Sequence, residues 1–411
     1  MAEQTVVDDA RSDETEFRLR VRTFLDANAR RKGTEAEELS DADAVSRAKA
    51  FQRAAVEAGL AGITYPVEYG GQGLSRRHQE IWTEEARAYA LPTMPITISH
   101  GMCLPTLSDF GTPEQKAAHL AKVISAEEIW CQMFSEPGAG SDVASLQSRA
   151  ERDGDEWILN GQKVWTSGAH YSDYGLCVAR TDPTLPKHQG LSMFIVPMNA
   201  PGVEVRPLVQ VTGDSDFNEV FFTDVRIPAA NLVGELNAGW NVAVAMLMYE
   251  RVALGAGGAG PMSSSRSGSL IAAAQQNGSS ADPVVRNALV DIWIREKILS
   301  FVGMRIRDAV TAGRAPGPEG SIAKLASAEL AVDTADVVGM VFGATCQAWA
   351  ADDPDGGDWA RGIIGARAVG IAGGTNEIQR NIIGERVLGL PKEPAVDKGV
   401  PFKDLLVGTQ R

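Results

Sequence analysis

Three groups of residues in this chain combine types and spacings that can do chemistry. The first is Ser135-Glu136-Pro137-Gly138-Ala139-Gly140-Ser141-Asp142, directly after the run from Ile129 to Phe134. A glycine-rich turn after a strand exposes backbone N–H groups to an anion or to the polar edge of a ring. The same pattern also makes a plain surface turn. The second is Trp165-Thr166-Ser167-Gly168. An indole followed by two hydroxyls can stack on a flat heterocycle and hydrogen-bond its edge, or the indole can simply close a sheet core. The third is Glu250-Arg251, the only charged residues between Trp240 and Gly258 in a stretch of mostly Ala, Val, Leu, Met and Gly. Burying a charge without a partner is costly, and adjacent residues on a helix do not face each other. Such an acid either pairs with a charge on another helix or serves as a base whose pKa is raised by desolvation.

The elements that must hold these groups follow from periodicity. From about Glu14 to about Ile129 apolar residues recur at helical spacing, as in Phe17, Val21, Phe24 and Leu25. Thr112-Pro113-Glu114-Gln115 has the hydroxyl, proline and acid of a helix start, and Thr64 to Gly71 reads as a loop. The middle of the chain changes period. Gly175–Arg180, Leu191–Val196, Val203–Pro207 and Val220–Ile227 read as short strands, and Asn160-Gly161 between two strand-like runs predicts a hairpin turn there. After about Gly239 helices return over 240–255, 283–312, 320–343 and 359–388, interrupted by weak segments at 257–282 and 352–358. The reading is α+β: an N-terminal α-helical domain (1–130), a central antiparallel β-domain of sheet or small-barrel form (131–235) and a C-terminal helical bundle (236–411).

Composition narrows the function classes. The 411 residues carry a formal net charge of −14, with 44% hydrophobic and 22% charged residues. A broad basic face for nucleic acid is therefore not expected, and a polyanionic ligand needs a local basic patch. The four cysteines, Cys103, Cys131, Cys177 and Cys346, lie far apart without C-x-x-C spacing, so neither a disulfide framework nor a zinc site is indicated. No uncharged apolar stretch of membrane-spanning length is present, and the polar, acidic Met1 to Thr15 has no signal-peptide or transit-peptide pattern. A cytoplasmic, reduced protein is the simplest expectation.

Taken together, Ser-Glu-Pro-Gly-Ala-Gly-Ser-Asp followed by Asn-Gly-Gln-Lys-x-Trp-Thr-Ser is similar in order and spacing to the FAD-dependent acyl-CoA dehydrogenase family. Tyr69-Gly70-Gly71-Gln72-Gly73, Gly111 to Gln115, Val225-Arg226-Ile227-Pro228 and Gly374 to Arg380 extend the resemblance over almost the whole chain. It implies an N-terminal helical domain, a central β-domain and a C-terminal four-helix bundle, with FAD held between the last two. By that likeness Gln132, Met133, Phe134 and Ser135 lie along the flavin, as does Ser141, which also reaches the thioester ligand. Trp165, Thr166 and Ser167 pack on and hydrogen-bond the isoalloxazine ring, and Thr375, Asn376 and Glu377 contact FAD further along. The implied reaction is α,β-dehydrogenation of an acyl-CoA to the trans-2-enoyl-CoA, with electrons passed to an electron-transfer flavoprotein.

Two departures from the family pattern stand out. Many members place the catalytic glutamate directly before the Gly-Thr of the C-terminal motif, where this chain has Gly373. A second family solution puts it on an internal helix before an arginine, and Tyr249-Glu250-Arg251 resembles that isovaleryl-CoA and long-chain type. Glu250 is then the expected base, and Arg251 is structural or contacts acyl-CoA. Glu377 and Glu136 are the competing acids, read as a helix cap or cofactor contact and as structural. The family's Arg-x-x-Phe-Gly and Gln-x-x-Gly-Gly stretches, which reach a neighbouring subunit's FAD pyrophosphate, are replaced by Leu270 to Gly278 and Val338 to Ala344. That loss resembles actinobacterial sterol side-chain dehydrogenases, α₂β₂ assemblies in which two subunits share each FAD. The alternative is a homo-oligomer using other residues such as Arg266 or Arg314. A non-catalytic or half-site subunit, and an oxidase or monooxygenase of the same fold, complete the alternatives. Branched, sterol-derived and long straight acyl chains all fit, with Ala253, Gly255 and Gly257 able to open room beside Glu250.

Overall fold

The computed structural model describes residues 2–32, 39–255, 266–311, 317–348, 356–395 and 397–406. The chain falls into two compact units, one of Met1–Leu208, Asp216–Tyr249 and Gly399–Arg411, the other of Val209–Ser215 and Glu250–Lys398.

In the first unit, helices α1 (Ala2–Asn28), α2 (Asp41–Glu57), α3 (Arg76–Ala86), α4 (Leu104–Phe110) and α5 (Pro113–Ile124) precede the main sheet. The Phe17, Val21, Phe24 and Leu25 stripe of α1 is buried against Phe51, Ala55 and Ile81. Helix α5 starts on a full capping box: Gln115 N–H donates to the Thr112 hydroxyl while the Gln115 side chain accepts from Thr112 N–H. The short strands β1 (Arg30–Arg31) and β2 (Tyr89–Ala90) pair with each other.

The main sheet is built from β3 (Trp130–Met133), β4 (Arg149–Asp153), β5 (Glu156–Ser167), β6 (Tyr174–Arg180), β7 (Leu191–Pro197), β8 (Val203–Leu208), β9 (Phe217–Pro228) and β10 (Leu232–Val233). Among the described residues its order is β10-β7-β6-β4-β5-β9-β8, with β3 on β6. Most pairs are antiparallel, but β3 runs parallel to β6. Strands β6 and β7 are almost wholly buried, which explains their unbroken apolar runs.

One expectation about this region needs correction. The hairpin turn is not at Asn160-Gly161: β4 and β5 pair from Arg149↔Asn160 to Asp153↔Glu156, so the chain reverses at Gly154-Asp155, with Gly154 at φ +58°. Asn160 and Gly161 instead sit inside β5 at a register shift against β9. The Asn160 amide exchanges hydrogen bonds with Asp224 across the strands. A Cβ on Gly161 would approach the Ser148 hydroxyl oxygen to 2.2 Å. Here glycine serves a close approach in a bulge rather than a turn.

Helix α6 (Gly239–Gly255) carries Val242, Ala243 and Met246 into the core of the first unit. In the second unit follow α7 (Arg266–Gln276), α8 (Pro283–Thr311), α9 (Glu319–Phe342), α10 (Gly356–Gly365) and α11 (Asn376–Ile382). Leu270, Ala274, Leu289, Ile292, Val337, Val338 and Val341 form their shared core. Part of the supposed weak segment 257–282 is therefore helix α7, while 256–265 and 351–355 lie outside the described residues. The expected helix over 359–388 is broken. A 3₁₀ turn over Ala366–Gly370 and two successive left-handed residues, Gly373 (φ +67°) and Gly374 (φ +89°), separate α10 from α11. Consecutive positive φ values end any right-handed helix.

Candidate active site

The first two sequence groups meet in the first unit. The Val164 N–H donates to Ser135 O at 2.9 Å, and Lys163 Nζ donates to Phe134 O at 3.1 Å. Lys163, fully buried, also forms an ion pair with Glu136 at 2.8 Å. Glu136 in turn accepts from the backbone N–H groups of Gln147 and Ser148. Burial alone would push the Glu136 carboxyl up, but the Lys163 charge and these donors outweigh it and hold its pKa below the usual range. Glu136 is thus a structural anchor that shapes the glycine-rich turn.

Met133 and Phe134 have buried side chains in the core, so only their backbone can reach a ligand. Gln132 and Ser135 are half-buried, and Ser141 is exposed. Trp165 sits at the second register shift of β5, with φ +60° and 60% of its surface exposed. Positive φ is unusual for a bulky residue and costs about 1–3 kcal/mol. The bulge turns the indole out of the sheet, nearly perpendicular to the ring of Phe217. The neighbouring Thr166 is buried, yet its hydroxyl has no hydrogen-bond partner. The same holds for Asn218 Oδ1, whose own amide donates to Thr166 O at 3.0 Å. A dry hydroxyl and a dry carbonyl oxygen, beside an outward-facing indole, fit a flat heterocycle with polar edges. Ser167 ends the strand and is half-buried.

The third group lies in the second unit. A Cβ built on Gly373 would sit 3.7 Å from Glu250 Oε1, an ordinary contact. The carboxylate of α6 therefore borders the space that a side chain at position 373 would occupy. The side chain of Arg251 lies outside the described residues. Thr375 caps α11, its hydroxyl accepting from Ile378 N–H at 3.3 Å. Asn376 Oδ1 is buried without a partner, whereas Glu377 is exposed and 3.6 Å from Arg380.

Sequence reasoning missed the groups that hold this turn. Gln379 Nε2 donates to Gly373 O (3.0 Å) and Gly374 O (3.2 Å), and Lys324 Nζ donates to Gly374 O at 2.6 Å. Burial lowers the Lys324 pKa, opposed by the charge of Glu377. The available signal was the charge of Lys324 in the otherwise uncharged stretch Gly320–Ala328.

Sequence comparison matches residues 11–127 to the family described as acyl-CoA dehydrogenase, N-terminal domain, residues 131–225 to its middle domain and residues 237–388 to its C-terminal domain. The chain is 38% identical over 397 residues to the acyl-CoA dehydrogenase IpdE1 of Mycobacterium tuberculosis, covering 93% of this chain and 99% of that one. Among solved structures it is similar to the ChsE4-ChsE5 complex of Mycobacterium tuberculosis, at TM-score 0.75 and 30% identity over 93% of this chain and 98% of the other. It is also similar to the Tcur3481-Tcur3483 steroid ACAD, at TM-score 0.75 and 28% identity over 93% and 98%. With matches that run from the first helix to the motif after Gly373, the chain belongs to the acyl-CoA dehydrogenase family.

Proposed function

We propose that this chain holds FAD and oxidises an acyl-CoA thioester at Cα–Cβ, with Glu250 as the base that removes the Cα proton. The contact between Glu250 Oε1 and the Cβ position of Gly373 carries the reading. It supports a carboxylate delivered from α6 serving in place of the glutamate that many members of the family carry at position 373. When bound, FAD supplies the hydride acceptor. In the first unit Thr166, Asn218 and the face of Trp165 would hold its ring, and in the second unit Asn376 would offer a cofactor contact. Ser141 and the backbone of the Ser135–Asp142 turn orient the thioester. The product is the trans-2-enoyl-CoA, and an electron-transfer flavoprotein is the electron acceptor.

Similarity to the Tcur3481-Tcur3483 steroid ACAD favours a bulky, sterol-derived acyl group over a straight chain. The similar Tcur3481-Tcur3483 and ChsE4-ChsE5 structures each pair two proteins, and this favours a related second subunit over a homo-oligomer. A surface feature fits association with another chain, like or unlike: α8 exposes Val290, Trp293, Ile294, Ile298, Phe301 and Met304 along its length. An apolar stripe of that extent is characteristic of a surface covered by another chain. The unpaired Cys103, Cys131, Cys177 and Cys346 support a reducing, cytoplasmic location for that assembly.

Anaerobic flavin bleaching tests the reaction, using isovaleryl-, octanoyl- and palmitoyl-CoA and a steroid side-chain CoA thioester. Wild type is expected to bleach with one class, and Glu250→Gln to bleach with none. Equal bleaching in both would remove Glu250 from the mechanism. One FAD per chain in a fully active homogeneous preparation would remove the second subunit.

A further inference from the structure

The Gly373–Gly374 turn has an unusual problem. Glycine adopts left-handed φ freely, so the residues that make the turn possible do nothing to keep it in one place. Two successive left-handed residues also take both carbonyls out of the helical ladder, and each then needs an outside donor. Gln379 donates to both from α11, local to the turn and itself buried, at 3.0 Å to Gly373 O and a longer 3.2 Å to Gly374 O. Its amide orientation is set by chemistry, since only the nitrogen can donate to two carbonyls. The other donor is remote: Lys324 lies 50 positions earlier, on α9.

On α9, Lys324 follows the buried Ser321 and precedes the buried Ala328 at helical spacing, so it points to the packed side of the helix. A lysine there loses hydration, which is why burial lowers its pKa. A methionine would fill the same space without that cost. The ammonium gains a 2.6 Å bond to Gly374 O, on the turn whose other glycine borders the Glu250 carboxylate.

We infer that Lys324 is a positioning residue for the reaction: it fixes the Gly373–Gly374 turn against the Glu250 carboxylate. The inference rests on Glu250 being the base. The bond crosses from α9 to the turn and stops the two glycines from sliding. The wall beside the carboxylate then stays where a reacting Cα–H must be met. Displacing a reacting group by about 1 Å can cost on the order of 100-fold in rate.

The test uses the full-length flavin-loaded protein, in whatever assembly it purifies, with the thioester that bleaches it fastest. Lys324→Met is expected to lower kcat by about 10- to 100-fold with KM held within about threefold. Lys324→Arg, which restores a charged donor, is expected to recover most of that loss. A second readout needs no turnover. Backbone hydrogen exchange in a peptide spanning 369–378 is expected to speed up at least about tenfold in Lys324→Met and to slow again in Lys324→Arg. If Lys324→Met does not fold, Lys324→Gln gives the same two readouts with a neutral donor, and is expected to fall between wild type and the predicted methionine values. Wild-type kcat and wild-type exchange in the tested variant would overturn the inference. Loss of kcat that Lys324→Arg does not recover would also overturn it. Glu250→Gln measured in parallel separates the two readings. If it turns over normally, the base assignment falls and the positioning role falls with it. If it is inactive while Lys324→Met matches wild type, only the positioning role falls.

Discussion

The β5 bulge and the Gly373–Gly374 turn both present polar groups at irregular backbone, and they are held in different ways. In the sheet, irregularity is enclosed by a ladder. Strand β5 pairs with β9 before and after the Trp165 bulge, Val164 N–H donates to Ser135 O, and the buried Lys163–Glu136 pair ties the strand to the glycine-rich turn. A strained Trp165 can persist there because its neighbours over-determine it. The turn in the second unit has no ladder. Its two carbonyls are held by side chains from α9 and α11. The comparison teaches that the sheet side resists perturbation until a buried charge is exposed, whereas the turn side should respond to the loss of one hydrogen bond.

The largest effect should come from moving the carboxylate. Glu250→Gly is expected to lower kcat by about 10²- to 10⁴-fold, the usual contribution of a general base. Adding Gly373→Glu should return about tenfold, limited by the roughly 1–3 kcal/mol strain of a left-handed glutamate. Stopped-flow flavin reduction measures both. No recovery would show that the turn does not aim at the reacting position.

Next, Lys163→Met should cost about 3–5 kcal/mol in chemical unfolding at neutral pH, because it leaves the Glu136 carboxylate buried without its cation. The pH dependence sharpens this. In the wild type Glu136 is held below the usual carboxylate range, so its contribution is present above about pH 4.3 and is lost as pH falls through the folded value. Without Lys163, burial raises the same pKa, and protonation then relieves the penalty. The gap between variant and wild type should therefore narrow toward pH 4. A constant gap would mean the pair is not the anchor.

Gly161→Ala tests the first register shift of β5, at Asn160-Gly161. Its Cβ would meet the Ser148 side chain and backbone at 2.2–2.7 Å, and overpacking of this kind costs about 1–3 kcal/mol. A melting temperature equal to wild type would show that β5 can shift register freely. The smallest effect is the most selective. Thr166→Val removes a hydroxyl that has no partner in the protein, so stability should hold or rise slightly while flavin affinity falls by about tenfold, the worth of one hydrogen bond. Fluorescence titration of apoprotein with FAD reads the affinity. A loss of stability without a loss of affinity would place the hydroxyl in the fold.

Much of this molecule was legible from its residues. Helical spacing marked α1 and α5, and unbroken apolar runs marked β6 and β7, because burial on one or both faces writes a period into the chain. Trp165-Thr166 and Glu250 stood out for a related reason: each is a residue type that its local pattern does not need. The misplaced hairpin and the broken helix share one cause. Asn-Gly and Gly-Gly state only that positive φ is tolerated, and the same freedom serves a turn, a bulge or a helix break. Which of these occurs depends on what approaches: Ser148 packs against Gly161, and Gln379 and Lys324 reach for the carbonyls of Gly373 and Gly374. Thus the amino-acid order by itself determined most of the elements, the family and a set of candidate residues for chemistry, since these follow from local preference and burial. Only the tertiary structure decided that Lys163 neutralises Glu136, that Thr166 is left without a partner, and that Glu250 borders the empty side of Gly373. Those are distances between residues far apart in the chain, and no local preference encodes a distance.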